Sequence, residues 1–135
     1  MNDSAQKLRQ RYKAYCGLLG VKPVLHTRQQ HTGEAHVEIV DDGYHYVVTE
    51  RGTEPERRIT ADEDEMLYWL LSYVIFDLAS GLELKNRVKG QSFRRLLFAK
   101  ELELMGCLNP SWAERKSREI EAVLAKHPYD DLVEG

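Results

Sequence analysis

The chain has 135 residues, 42% of them hydrophobic and 30% charged, with a formal net charge of −3 at pH 7. That length is enough for one domain, residues 1–135, whose core needs neither disulfides nor metal. The weak overall charge argues against a general nucleic-acid binder or a membrane-surface protein. Cys16 and Cys107 are too far apart for a metal or redox motif, and the polar N-terminus carries no apolar secretory segment. The expectation is a cytoplasmic protein with two free thiols.

In chain order, Asp3 or Ser4 caps a first helix running to about Leu19. Its apolar stripe is Leu8, Tyr12, Tyr15, Cys16 and Leu19, with Lys7, Arg9, Arg11 and Lys13 largely outside it, and Gly20 ends it. Val21 to Leu25 suits a short edge strand, because proline is tolerated there only at an edge, and 26–33 reads as loop. A hairpin follows. Glu34 to Val40 alternates, with Ala35, Val37 and Ile39 on one side, and Asp41-Asp42-Gly43 suits a three-residue turn. Tyr44 to Glu50 returns with Tyr44, Tyr46 and Val48 on one face. Bulky groups on both faces make it the central strand. The inferred register sets these three beside His36, Glu38 and Val40 and turns His45 away. After a turn at 52–55, the charged run Glu56 to Ile59 fits an exposed edge strand.

Thr60 to about Lys89 reads as the organising helix. Thr60 and Glu63 have capping-box spacing, and Met66 to Phe76 is apolar or aromatic nearly all the way round. Such a helix is enclosed by other elements or lies in a membrane. The run ends at Asp77, short of the roughly 20 apolar residues a span needs, so a soluble core is expected. Ser92 caps a third helix to about Met105, with Phe93, Leu96, Leu97 and Leu104 inward. Asn109-Pro110 opens a fourth, lined by Trp112, Ile120, Val123 and Leu124, and Tyr129 in the tail packs back. One helix, a three-stranded antiparallel meander and then three helices define an α+β fold.

No phosphate loop, nucleophile elbow or paired-cysteine motif is present. His31 and His36 bracket a loop and strand, and His36 and His45 do not converge in the inferred register, so no metal is expected. Asp77 directly follows the apolar run. Paired with Arg51, Arg94 or Arg95, and with Glu50 nearby, it would make an acid and guanidinium site, which is the enzyme alternative. The basic first helix, through Arg9 and Arg11, is the basis of a nucleic-acid-binding alternative. The charge is unevenly spread: residues 31–65 hold eleven carboxylates against Arg51, Arg57 and Arg58. Such a segment can steer a basic partner.

Several blocks stand in a recognisable order. They are Tyr44-His45-Tyr46-Val47-Val48-Thr49-Glu50-Arg51-Gly52, Arg57-Arg58, Leu67-Tyr68-Trp69-Leu70, Gly90-Gln91-Ser92-Phe93-Arg94-Arg95, Leu102-Glu103-Leu104-Met105-Gly106, Leu108-Asn109-Pro110-Ser111-Trp112 and His127-Pro128-Tyr129-Asp130-Asp131. Together they resemble immunity protein family 63 of bacterial polymorphic toxin and contact-dependent inhibition systems, with Tyr46, Glu50, Arg51 and Gly52 as its most recognisable element. The resemblance implies a non-catalytic cytoplasmic protein, without cofactor, that binds a cognate toxin domain and occludes its active site. A basic nuclease domain would suit the acidic segment. On that reading Asp41, Asp42, Asp62, Glu63, Asp64 and Glu65 form the contact face, and Tyr44, Tyr46 and Tyr129 are candidate anchors. Neither a membrane nor direct nucleic-acid contact is implied.

Overall fold

In the computed structural model, the structure describes residues 3–28, 32–41, 43–50 and 53–135, with backbone alone at 32, 33, 50 and 53–55. The elements are α1 (Asp3–Leu19), β1 (Thr32–Val40), β2 (Gly43–Glu50), β3 (Thr53–Thr60), α2 (Glu63–Lys85), α3 (Phe93–Leu108), α4 (Pro110–Lys126) and a four-residue α5 (Asp131–Glu134). The architecture is α+β, and the sheet is an antiparallel meander in the order β1-β2-β3 with β2 central. The chain divides into two compact units, Met1–Leu71 and Ser72–Gly135, and α2 runs through the division.

In the first unit, the buried positions Leu8, Tyr12 and Cys16 of α1 follow the helical period. Residues 21–27 take no regular structure, so the expected edge strand is absent. Pro23 offers no N–H for a ladder. Two point contacts hold the segment instead: the Tyr12 hydroxyl donates to the Val24 carbonyl at 3.1 Å, and the Val37 N–H donates to the His26 carbonyl at 2.9 Å.

The sheet register differs from expectation by one residue. Val40 pairs with Gly43, so two residues rather than three separate the strands, and Val37 faces Tyr46 while Ile39 faces Tyr44. A one-residue slip exchanges the two faces. Tyr44, Tyr46 and Val48 therefore share a side with Ala35, Val37 and Ile39, while His36, Glu38 and His45 share the other. The tyrosine side meets α2, with Tyr46 and Trp69 edge to face at 6.3 Å between centroids. Arg58 of β3 places its guanidinium 4.7 Å from the centroid of each ring. Cation–π contacts of this kind contribute about 0.5–2 kcal/mol.

The start of α2 also differs in detail. Asp62 is the cap: its side-chain Oδ1 accepts the Asp64 N–H at 2.9 Å and its carbonyl accepts the Met66 N–H at 3.1 Å. Thr60 supports the cap from outside, its hydroxyl oxygen accepting the Asp62 N–H at 3.0 Å. Glu63 is thereby released from the capping role that the sequence suggested. Met66, Leu67, Leu71, Ile75 and Ala79 are all fully buried. The helix has the length and composition to cross a membrane, and these residues give it a buried side. It stops at Lys85, four residues earlier than expected. There the Asn86 side-chain amide donates to the Leu82 carbonyl at 2.9 Å, competing with the helical pattern. Arg87 folds back onto the buried carboxylate of Glu83, at 2.8 and 2.9 Å.

In the second unit, Ser92 caps α3 as its sequence suggests, and Asn109 closes α3 while capping α4 ahead of Pro110. The buried stripe of α3 is Leu97, Glu101 and Met105, whereas Phe93 is 38% exposed. On α4, Trp112 and Ile120 are buried and Val123 lies at the surface. Glu101 is the unexpected member: burial pushes its carboxyl pKa up, and Lys116 partly opposes the shift.

Candidate functional site

Of the acidic residues singled out in the sequence, Asp41 and Asp62 to Glu65 gather at one end of the sheet. Tyr44 pairs with Thr60, which sets the β1–β2 turn beside the connection from β3 to α2. Gly43 makes the approach possible. Its φ is +117°, and a Cβ there would lie 2.5 Å from the Thr60 carbonyl oxygen and 2.8 Å from the Ala61 Cα. Asp41 on the turn and Asp62 to Asp64 at the helix start thus share a corner.

Among the described residues, the charges within that corner are incompletely matched. Arg11 of α1 reaches Glu63 at 2.8 Å and Asp64 at 2.6 Å, and the bond to Glu63 drives its own pKa upward. Glu63 also accepts from the Tyr44 hydroxyl at 3.2 Å. Burial, then the charge of Glu63, raises the Tyr44 pKa. Asp64 stays 63% exposed despite its arginine, Asp41 and Asp62 are exposed, and Glu65 is half-buried. The helix dipole favours negative charge at this end, so the fold concentrates carboxylates here at little cost. Asp42, Arg51 and Gly52 lie outside the described residues, as does the side chain of Glu50.

The tyrosines fare differently from the acids. Tyr44 and Tyr46 are 7% and 5% exposed, so their rings are committed to the core and are not available as anchors. Tyr129 is held by Arg94 and Arg95, whose guanidiniums sit 5.4 and 4.2 Å from its centroid, and by Phe98.

On the opposite side of the sheet the corrected register assembles a polar chain. His36 Nε2 lies 2.8 Å from Glu38, and Arg57 donates to Glu38 at 3.1 Å and to His45 Nδ1 at 2.7 Å. His36 and Arg57 together hold the Glu38 carboxyl below its ordinary value. His31 lies outside the described residues. Among the described residues no group of histidine, cysteine or carboxylate side chains is arranged to hold a metal ion.

The second unit contains a structure the sequence did not announce, a clasp formed by the tail. Asp131 accepts the Ser92 N–H at 2.6 Å and pairs with Arg95 at 3.0 Å. Glu134 accepts from the Ser92 hydroxyl at 2.5 Å and pairs with Arg94 at 3.0 Å. Arg94 also donates to the carbonyls of His127 and Pro128, both at 2.8 Å. Ser92 and Arg94 hold the Glu134 carboxyl down to about 2. The signal lay in the spacing of Asp130, Asp131 and Glu134 opposite Arg94-Arg95, which only tertiary contact reveals. The clasp also bears on the enzyme alternative. Asp77 is exposed on α2, and both candidate arginines of its unit are engaged by the tail. A boundary carboxylate turned to water needs no partner.

A sequence model of the family described as immunity protein 63 matches residues 41–122. No curated protein and no solved structure matches the chain. The matched segment includes Asp41, the central strand, all of α2 and α3, and most of α4.

Proposed function

Because the chain belongs to the immunity protein 63 family, we propose that it binds a cognate toxin domain in the cytoplasm of the producing cell and neutralises it by covering the toxin's active site. The family match over residues 41–122 is the observation that carries this reading. On this proposal the protein is a stoichiometric inhibitor with no reaction of its own.

The acidic corner is the contact surface we assign to the toxin. Asp41, Asp62 and Asp64 are exposed at one end of the sheet, and the nearby Arg11 meets only part of their charge. A surface of that sign steers a basic partner and raises the association rate more than it strengthens the final complex. The fitting partner is a toxin domain with a basic active-site rim, as a nuclease has. Its docking covers an interface of roughly 1,600 Å² in total.

Co-expression with the toxin encoded beside it tests the reading. Rescue of growth together with co-purification supports direct neutralisation. Rescue without a complex, or killing regardless of this protein, overturns it. The corner is tested separately by Asp41→Asn with Asp64→Asn. This pair slows association and flattens its salt dependence while leaving dissociation nearly unchanged.

A further inference from the structure

The apolar run of α2 predicts enclosure on most sides, yet its later turns leave large apolar groups in water. From Ser72 onward, Ile75, Ala79 and Glu83 are buried, whereas Tyr73 is 54%, Phe76 51% and Leu84 65% exposed. At about 3.6 residues per turn, Tyr73, Phe76, Asp77, Ser80 and Leu84 fall on one side of the helix, opposite Ile75 and Ala79. An amphipathic surface helix keeps that side polar. Three large apolar side chains left in water on one helix side, Tyr73, Phe76 and Leu84, mark a surface meant to be covered.

We propose that this stripe pairs with the same stripe of a second copy of the chain, the two α2 helices running antiparallel and crossing at Ser80. Two features select that occupant. Phe76 and Leu84 stand four residues either side of Ser80, so in an antiparallel pair crossing there Phe76 of one copy is level with Leu84 of the other. Ser80 and Gly81 are small enough to let the helices approach. The charges agree as well. Asp77 and Lys85 are both exposed and lie toward the same flank, and antiparallel pairing brings each Asp77 to within roughly 3 Å along the axis of the other copy's Lys85. A parallel pair would set Asp77 against Asp77 and Lys85 against Lys85, which is repulsive. A symmetric, self-complementary patch is what a two-fold interface requires. About three helical turns cover less than the roughly 800 Å² per partner of a standard interface, so the association is weak and concentration-dependent.

Sedimentation equilibrium up to about 1 mM protein, far above a micromolar dissociation constant, tests the pairing. The weight-average mass of the unaltered chain rises with concentration toward twice 15.7 kDa, and Phe76→Glu remains at the single-chain mass. Asp77→Lys weakens association several-fold at low ionic strength, and adding Lys85→Asp to it restores association, a rescue that misfolding cannot imitate. With Cys107→Ser as background, Ser80→Cys forms a disulfide-linked dimer under mild oxidation. An unaltered chain that stays monomeric throughout, or a double charge reversal no better than the single one, overturns the proposal. Coverage of the stripe by the toxin in place of a second copy overturns it too.

Discussion

Two of the clusters in which carboxylates meet arginines share the same chemistry and differ in outcome. In the clasp of residues 92–134, Asp131 and Glu134 are each matched by an arginine and by a group of Ser92. The charge is closed off, and what it accomplishes is to fasten the tail to the start of α3. In the corner near α2, Arg11 meets Glu63 and Asp64 while Asp41 and Asp62 face water. A matched cluster holds a chain in place, and an incompletely matched one projects a field. The contrast separates residues serving the fold from residues available to a partner.

The largest effect expected in either region comes from the corner's backbone. Gly43→Ala forces a side chain into the Thr60 carbonyl at a positive φ and costs about 2–3 kcal/mol, read as a lower denaturant midpoint with unchanged slope. An innocuous Gly43→Ala would mean the turn and the helix start are not pressed together. Next comes the clasp, where Arg94→Ala removes the Glu134 pair and both carbonyl bonds. A fall in Tm of several degrees is expected, with Arg94→Lys recovering only part, because an ammonium cannot fork across those acceptors.

A pH series sharpens the same contrast. The Glu134 pKa is depressed in the fold from 4.5 to about 2, so its contribution is fully present above pH 4.5 and is lost as pH falls toward 2. The unaltered chain therefore loses more stability across that window than Glu134→Gln does, and equal losses would detach the clasp from acid stability. The smallest expected change in stability is at Arg11. Arg11→Ala costs no more than about 1 kcal/mol, as half-exposed ion pairs do. By uncovering Glu63 and Asp64 it speeds association with a basic toxin, whereas Asp64→Asn slows it.

Much of this was legible in the sequence because local chemistry decided it. Ser92 and Asn109 cap where their side chains dictate, Pro110 opens α4, the alternating strands announce themselves by period, and α2 does so by its nearly unbroken apolar run. The hairpin register was not legible. Asp41-Asp42-Gly43 fits a two- or a three-residue turn, and one residue reverses which side chains meet α2. That slip hid the alignment of His36, Glu38, His45 and Arg57. The acidic positions were found from charge density, but the meeting of Asp41 with Asp62, Glu63 and Asp64 depended on Gly43 packing against Thr60. The clasp depended on contacts nearly forty residues apart along the chain, which no local pattern carries.

The central claim is direct neutralisation by a charge-steered complex. It is tested most directly by stopped-flow association of the purified protein with its toxin across a range of salt, alongside residual toxin activity. The account predicts loss of activity at one-to-one stoichiometry and an association rate that falls steeply with salt, with Asp41→Asn and Asp64→Asn together flattening the fall. Full toxin activity in the presence of excess protein, or a salt response unchanged by those substitutions, would contradict it.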